Sequence, residues 1–207
     1  MWLLVSLLSL LLGSLVAGVL YSHWRGQDIR RADLPGGSGT WRQYGPAAGI
    51  GVALFDGLKG TLAVYLAGQL MPQDPQLGAA LATFFVVLGH CYPPLFGFRG
   101  GGGIATLIGA LALAAPQALL GALVATAIFM PLYKLLLQRY VHINVVPVTA
   151  GAVVPVALWL SWREGGFWAT LLGVLVMGVR AAHMVLQSRQ QQLRAAGSEA
   201  AESGAGQ

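Results

Sequence analysis

The residues best suited to chemistry lie in one polar stretch of an otherwise apolar chain, Gly89–Thr106, which reads GHCYPPLFGFRGGGGIAT. It contains His90, Arg99 and the four glycines Gly100–Gly103, which directly precede an apolar run from Ile104. A glycine-rich turn that opens a helix leaves backbone N–H groups free beside the positive end of the helix dipole, and such a turn binds phosphate. We therefore predict an anion pocket here, to which Arg99 adds a permanent positive charge.

A structural interpretation of the same stretch stays open. Glycines often allow membrane helices to pack closely, and prolines can kink a helix without a functional purpose. His90 can have a purely structural role, in which it forms a hydrogen bond with its own helix or with a loop carbonyl. The single cysteine, Cys91, excludes an internal disulfide and is better explained as a small apolar filler than as a reactive thiol.

A second candidate group lies in the apolar segment Ala47–Leu70, where Asp56 and Lys59 stand three residues apart and so share one face of a helix. Charged groups inside a membrane span are costly and usually face a cavity or each other. Two interpretations follow. Asp56 and Lys59 form an ion pair that satisfies only itself, or both face the pocket of the glycine turn.

Composition places these groups in a membrane protein. The chain has 207 residues, of which 56% are hydrophobic and 9% charged, whereas soluble domains carry about 25% charged residues. In such a protein the net charge of +5 reflects orientation and does not indicate a nucleic-acid partner. The sequence shows no cluster of Cys, His and Asp at metal-ligand spacing, so we predict neither a metal site nor a cofactor.

The pattern of apolar runs predicts an all-α integral membrane protein with about seven transmembrane helices. The predicted spans are Met1–Tyr21, Ala47–Leu70, Gly78–Phe96, Gln117–Leu137, Ile143–Trp162 and Phe167–Gln187, with a shorter element, Gly103–Ala115. That element is about 20 Å long and too short to cross a bilayer, so we predict a half-helix that starts at the glycine turn. Pro35–Thr40, PGGSGT, is predicted to be a loop. Residues 1–187 are predicted to form one domain, and residues 188–207 a polar, disordered cytoplasmic tail.

The distribution of basic residues predicts the orientation. With the N-terminus outside and the C-terminus cytoplasmic, the inner segments hold most of the basic residues, and the outer loops hold only Arg163. The inner set comprises Arg25, Arg30, Arg31, Arg42, Arg99, Lys134, Arg139, Arg189 and Arg194. This bias favours the stated orientation over its reverse.

Three stretches resemble the bacterial acyl-phosphate:glycerol-3-phosphate acyltransferases, a seven-span family of the inner membrane. Asp28–Thr40, DIRRADLPGGSGT, resembles that family's D-I-R followed by G-S-G-N. Gly45–Val64 resembles its second span and contains the D-x-x-K-G signature at Asp56, Lys59 and Gly60. The stretch Gly89–Thr106 is similar to G-H-x-F-P followed by F-K-G-G-K-G-V-A-T.

The chain also departs from the family pattern. Thr40 replaces the first Asn of the loop motif, and several of the residues that follow it in the family are missing. Gly102 stands where the family has a lysine. The C-terminal motif H-R-E-N-I-x-R-L is not recognisable in Val179–Gln187, VRAAHMVLQ, although His183 offers a histidine.

The resemblance implies transfer of a fatty acyl group from acyl phosphate to the 1-hydroxyl of glycerol 3-phosphate, giving lysophosphatidic acid for phospholipid synthesis. Acyl phosphate is an activated donor, so no covalent enzyme intermediate is needed. We predict that His90 transfers a proton and that Asp56 orients Lys59 or a substrate hydroxyl. The predicted substrate-binding and phosphate-binding residues are Ser38, Gly39, Thr40, Arg42, Lys59, Arg99, Gly100, Gly101, Gly102 and Gly103.

Two other functions stay open from the sequence. The departures from the motif favour a divergent member with another acceptor or donor, or a non-catalytic lipid-binding protein. A glycine-broken helix whose N-terminus faces an anion also occurs in small anion transporters, although the halves of the chain show no convincing inverted repeat.

Overall fold

The structure is a computed structural model that describes residues 1–139 and 145–204. Its helices are α1 (Trp2–Ser14), α2 (Ala17–Trp24), α3 (Gly37–Tyr44), α4 (Pro46–Leu70), α5 (Pro75–Cys91), α6 (Ile104–Ala114), α7 (Pro116–Leu132), α8 (Val145–Glu164) and α9 (Phe167–Gly204). Three short turns join them, the 3-10 turns Ile29–Arg31 and Pro94–Phe96 and the π-helical turn Tyr133–Leu137. No strand occurs in the described ranges.

Several helices begin where a proline fixes the first turn. Pro46, Pro75 and Pro116 stand at the starts of α4, α5 and α7. Proline suits this position because its missing N–H would have no partner there and its φ angle is already helical.

The prediction of an all-α integral membrane protein is confirmed. Five helical stretches of the described chain are long and apolar enough to cross a membrane: Trp2–Trp24, Pro46–Leu70, Pro75–Phe96, Pro116–Leu136 and Phe167–Gln190. Between them α6 has only 11 residues and starts after the glycine turn, as predicted. The number of crossings and the orientation stay predictions.

Close helix packing forms the centre of the molecule. A side chain on Gly13 would collide with the backbone of Val86, so glycine lets α1 approach α5. A side chain on Gly60 would likewise collide with the carbonyl oxygen of Thr106, where α4 meets α6. Small residues at such crossings are typical of membrane helices. The buried core includes side chains of α1, α4, α5 and α6, together with Ala118 of α7 and Val176 of α9.

The first predicted span is not continuous. α1 ends at Ser14 and α2 starts at Ala17, with Leu15 and Val16 between them. The local sequence contains no proline that would have predicted this break. Its free backbone groups find partners on α4, which are described with the site below.

The glycine-rich segment Pro35–Thr40 is only partly a loop, so that prediction was wrong. Residues Gly37–Tyr44 form the two-turn helix α3. A side chain on Gly37 would lie 2.8 Å from Cβ of Ala53, and one on Gly49 would lie 2.6 Å from Cβ of Trp41. Close packing against α4 therefore stabilises α3 and overrides the poor helix propensity of its glycines.

The C-terminal segment differs from the expected disordered tail. In the structure α9 does not end at Gln187 but continues to Gly204, and residues 205–207 lie outside the described residues. The added stretch is rich in Gln, Arg, Ala and Glu, which favour a helix. At 1.5 Å per residue the 38 residues of α9 span about 57 Å.

Candidate active site

The centre of the candidate site is a buried cluster of three titratable side chains. Nζ of Lys59 lies 2.8 Å from Oδ1 of Asp56 and 3.0 Å from Nδ1 of His90. Nδ1 of His90 lies 3.5 Å from the same oxygen of Asp56. All three side chains are at least 96% buried, with exposures of 1% for Asp56, 4% for Lys59 and 3% for His90. Asp56 and Lys59 therefore pair with each other and also face His90 at the end of α5.

The same cluster closes the break between α1 and α2. Nζ of Lys59 donates to the carbonyl oxygens of Gly13 and Leu15, each at 2.9 Å. The backbone N–H of Ala17 faces Oδ1 of Asp56 at 3.5 Å. The ammonium group of Lys59 has three protons to donate but four possible acceptors, namely the two carbonyl oxygens, Asp56 and His90. One of these four acceptors therefore receives no hydrogen bond from it. This competition makes the tautomer of His90 decisive: a proton on Nδ1 faces Asp56 and leaves Nε2 as a base.

The glycine turn packs directly on His90. The N–H of Gly101 donates to the carbonyl oxygen of His90 at 3.1 Å, and a side chain on Gly101 would collide with Nε2 of the imidazole. A side chain on Gly100 would collide with the carbonyl oxygen of His90. Gly103 caps α6 with a φ of +86°, which glycine adopts without strain. Gly102 faces open space.

The turn and the start of α6 present unused donors. The first backbone bond of α6 is made by Leu107, whose N–H donates to Gly103. Within the described chain the N–H groups of Gly102 and Gly103, and of the first turn, Ile104–Thr106, donate to no acceptor. Free donors at the positive end of a helix are a ready anion site.

The turn has one further partner that the sequence analysis did not select. Nη2 of Arg180 donates to the carbonyl oxygen of Gly100 at 2.6 Å, and its Nε donates to that of Gly101 at 3.2 Å. Arg180 lies in α9 and is 6% exposed. Its guanidinium lies over the ring of Tyr92, 5.3 Å from the centroid. The available signal was a charged residue inside an apolar span, which is a functional candidate by default.

The first loop is tied to the stretch after α5 by an ion pair. Arg30 donates through Nε and Nη2 to the two carboxylate oxygens of Asp28, each at 2.8 Å, and through Nη1 to the carbonyl oxygen of Phe96 at 2.7 Å. The hydrogen bond from Arg30 lowers the pKa of Asp28 to about 2. The pKa of Arg30 is raised by the same contact.

The residues predicted around α3 have unequal positions. Arg42 donates through Nε and Nη2 to both oxygens of Asp33, at 2.8 and 2.7 Å, and thereby lowers the pKa of that carboxyl. Ser38 is exposed in the first turn, Gly39 is buried, and Thr40 is fully buried. Oγ1 of Thr40 has no hydrogen-bond partner in the part of the chain that the structure describes. Arg42 is thus already paired, whereas Ser38 is open to a ligand.

A chain of contacts connects α3 to the cluster. A side chain on Gly18 would lie 3.1 Å from Oγ1 of Thr40, and the neighbouring Ala17 faces Asp56. The structure thus brings Asp56, Lys59, His90 and the glycine turn together, with Thr40 one helix away. Arg99 is exposed and makes no hydrogen bond or ion pair with the described residues. No group of three or more His, Cys, Asp or Glu residues suited to a metal ion occurs in the described chain.

The comparison with protein families decides the class of protein. The profile of the family described as glycerol-3-phosphate acyltransferase matches residues 3–195. The chain belongs to the glycerol-3-phosphate acyltransferase family. The prediction made from the three motifs is confirmed.

Individual relatives agree with this assignment. The glycerol-3-phosphate acyltransferase 2 of Deinococcus radiodurans is 52% identical over 185 residues, which cover 89% of this chain and 95% of that protein. The glycerol-3-phosphate acyltransferase of Halalkalibacterium halodurans is 33% identical, with 83% of each chain covered.

The acyltransferase fold is also present in solved structures. The crystal structure of PlsY (YgiH), an integral membrane glycerol 3-phosphate acyltransferase, in its glycerol 3-phosphate form has a TM-score of 0.69 and 23% identity, with 92% of each chain covered. Its lysophosphatidic acid form has a TM-score of 0.68 and 22% identity. This likeness shows that the glycerol-3-phosphate acyltransferase fold is shared along almost the whole chain.

Proposed function

We propose that this membrane glycerol-3-phosphate acyltransferase takes its acyl group from acyl phosphate and transfers it to the 1-hydroxyl of glycerol 3-phosphate. The observation that carries the proposal is the glycine turn, which packs on the imidazole of His90 at Gly101 and, within the described chain, leaves the N–H groups of Gly102 and Gly103 without an acceptor. Family membership supports glycerol 3-phosphate as the acceptor. Lysophosphatidic acid and inorganic phosphate are the products.

Both substrates carry a phosphoryl group, and two glycine-rich helix starts offer donors for them. At the first, the N–H groups of Gly102, Gly103 and the first turn of α6 are free, with Arg99 exposed beside them. At the second, α3 makes its first backbone bond at Thr40, so the N–H groups of Gly37, Ser38 and Gly39 donate to no acceptor among the residues that the structure describes. We assign one phosphoryl group to each start.

The chemistry then needs only a base and a stabilised leaving group. The 1-hydroxyl oxygen attacks the acyl carbonyl carbon, and the bond from that carbon to the phosphate oxygen breaks. His90 takes the hydroxyl proton on Nε2, and Asp56 stabilises the imidazolium through Nδ1. The departing phosphate carries away the bonding electrons and is held by the backbone N–H groups of the turn. Ser38 binds substrate and is no nucleophile, since acyl phosphate is already activated.

We place this site on the cytoplasmic side of the bacterial inner membrane. α4 and α5 are joined by the short connection 71–74, so they run antiparallel and the start of α4 lies near the end of α5. The starts of α3 and α6 therefore open on the same side, and the basic residues of the first loop and of the glycine turn mark that side as cytoplasmic. We further propose that residues 1–187 form one domain and that residues 188–207 are a cytoplasmic tail.

Acyl transfer by the purified protein tests the proposal. Detergent-solubilised protein would receive palmitoyl phosphate and labelled glycerol 3-phosphate, with palmitoyl-CoA as the parallel donor. Lysophosphatidic acid from the phosphate donor alone is the expected result. Product from palmitoyl-CoA alone, or none from either donor while the protein stays folded, would overturn the proposed donor.

A second candidate is transfer to a different acceptor. Arg42, which the motif suggests as a phosphate ligand, is held by both oxygens of Asp33, and Gly102 has no side chain where the family has a lysine. A site with fewer cations would bind a dianionic acceptor less tightly. Repeating the assay with labelled glycerol and other polyols decides this: turnover faster than with glycerol 3-phosphate would favour the second candidate.

A further inference from the structure

The carbonyl groups of the glycine turn accept hydrogen bonds from a buried cation, Arg180. Arg180 is 94% buried, with 6% of its surface exposed, yet its two hydrogen-bond acceptors are the uncharged carbonyl groups of Gly100 and Gly101. In the described chain no carboxylate lies within ion-pair distance of its guanidinium. A buried charge without a counter-ion is costly, so its presence requires a reason other than stability.

The planarity of the peptide bond shows what these two bonds do. In a trans peptide the C=O and the N–H point in opposite directions, and the described chain has no cis peptide. Because the carbonyl of Gly101 faces Arg180, the N–H of Gly102 must point away from it. The preceding peptide is fixed at both ends, since the carbonyl of Gly100 bonds Arg180 and the N–H of Gly101 bonds His90.

Without such a tether the turn would have many conformations. Four consecutive glycines have more backbone freedom than any other sequence of that length, and ordering them costs roughly 1–2 kcal/mol per residue. An anion would have to supply this ordering free energy whenever it bound. Two charge-assisted hydrogen bonds from one rigid planar group are well suited to supply it in advance.

We propose that Arg180 is a positioning residue that fixes the glycine turn in its anion-binding conformation. It acts through the turn, by aiming the N–H of Gly102 at the phosphoryl group, and its charge attracts that group from the far side of the peptide. This role rests on the proposed function, in which the turn holds a phosphoryl group of acyl phosphate or of glycerol 3-phosphate.

The test compares Arg180→Met, which removes both bonds and the charge, with Arg180→Lys, which keeps the charge and one donor. Arg163→Ala is the matched control, since Arg163 lies at the opposite end of the spans over Trp159. For each protein, kcat and KM are measured with each substrate varied in turn, together with the thermal unfolding temperature.

We expect Arg180→Met to raise KM for one phosphorylated substrate by roughly ten- to a hundredfold, the range for lost bonds to a charged group. Arg180→Lys should recover part of this loss, and KM for the other substrate should change little. The affected substrate is the one whose phosphoryl group binds the turn. Unchanged KM values in a folded Arg180→Met variant, or equal losses in both substitutions, would overturn the proposal.

A binding measurement separates this proposal from the proposed function. Inorganic phosphate is the probe, and its effect on the unfolding temperature is followed in detergent. If the wild-type protein shows no acyl transfer, the proposed function fails. The role of Arg180 then stands if phosphate stabilises the wild type and not Arg180→Met, and it is overturned if phosphate stabilises both or neither.

Discussion

At the scale of single residues, neighbouring glycines of the turn have different surroundings. Gly101 faces the imidazole of His90 so closely that a side chain would collide with it, whereas Gly102 faces open space. The two positions are adjacent and chemically identical, so they form a matched pair.

We expect Gly101→Ala to lower kcat/KM by roughly ten- to a hundredfold, because the new methyl group displaces either the turn or the His90 ring, and overpacking costs about 1–3 kcal/mol. Gly102→Ala should keep wild-type activity. Both variants are assayed with palmitoyl phosphate and glycerol 3-phosphate. Equal activity of the two variants would show that the contact with His90 does not matter.

Lys59 connects stability to function. We expect Lys59→Met to destabilise the protein by about 3–5 kcal/mol, because it leaves the buried Asp56 carboxylate without a counter-charge. The double variant Asp56→Leu/Lys59→Met should recover part of that loss, since it removes both charges, yet it should stay inactive because His90 then lacks its polar neighbours. Thermal unfolding and acyl transfer are measured for both, with the exposed Lys134→Met as the control. An active double variant would refute a catalytic role for the pair.

At the scale of elements, the sequence predicted the features that depend on near neighbours. The half-helix after the glycine turn was predicted because a short apolar run directly follows a glycine run. The observed helix α6 has 11 residues, in agreement with this prediction. The position of Asp56 and Lys59 on one helix face was predicted because three residues make almost one helical turn, and an ion pair between them was one of the two interpretations. Local spacing was sufficient in both cases.

Features that depend on distant partners were missed. The break after Ser14 has no local signal, because its donor, Lys59, lies 44–46 residues further along the chain. The prediction of a loop at α3 was wrong, because the stability of this helix comes from packing on α4. Arg180 was not selected, because its acceptors precede it by 79 and 80 residues. Single-sequence reasoning evaluates the chain locally, and these contacts are not local.

The loop between α2 and α3 contains an ion pair, Asp28–Arg30, whose contribution to stability depends on pH. The pKa of Asp28 is lowered from 3.8 to about 2 by the hydrogen bonds from Arg30. A folded pKa below the unfolded one contributes stability above the unfolded value, and that contribution is lost as the pH falls through the folded value. The stabilisation by this ion pair is therefore fully present at neutral pH and is lost between about pH 4 and pH 2.

We accordingly expect Asp28→Asn to lower the unfolding free energy by about 1 kcal/mol at neutral pH, as for other partly exposed pairs. The difference from the wild type should shrink below about pH 4, where Asp28 of the unfolded chain binds a proton, and vanish near pH 2, where Asp28 of the folded protein binds one as well. Unfolding temperatures of both proteins across this range provide the measurement. A difference that persists undiminished to about pH 2 would contradict the assigned pKa.

At the scale of the whole molecule, the topology can be tested by labelling. Ala32 lies in the first loop and Gln73 in the connection between α4 and α5, and both are exposed. We expect Ala32→Cys to react with a membrane-impermeant maleimide only in inverted vesicles, and Gln73→Cys only in intact cells. Cys91 is buried, so the wild-type protein is the unlabelled control. The reverse pattern would place the active site on the outer side.

The break between α1 and α2 also bears on how the protein enters the membrane. The carbonyls of Gly13 and Leu15 and the N–H of Ala17 have their partners on α4, which is synthesised later. Unpaired backbone groups are costly in lipid, at several kcal/mol each. The first segment therefore cannot settle in its final form when it leaves the ribosome. We expect this segment to reach its final conformation only after Asp56 and Lys59 have been synthesised, and these two residues then find hydrogen-bond partners in the break.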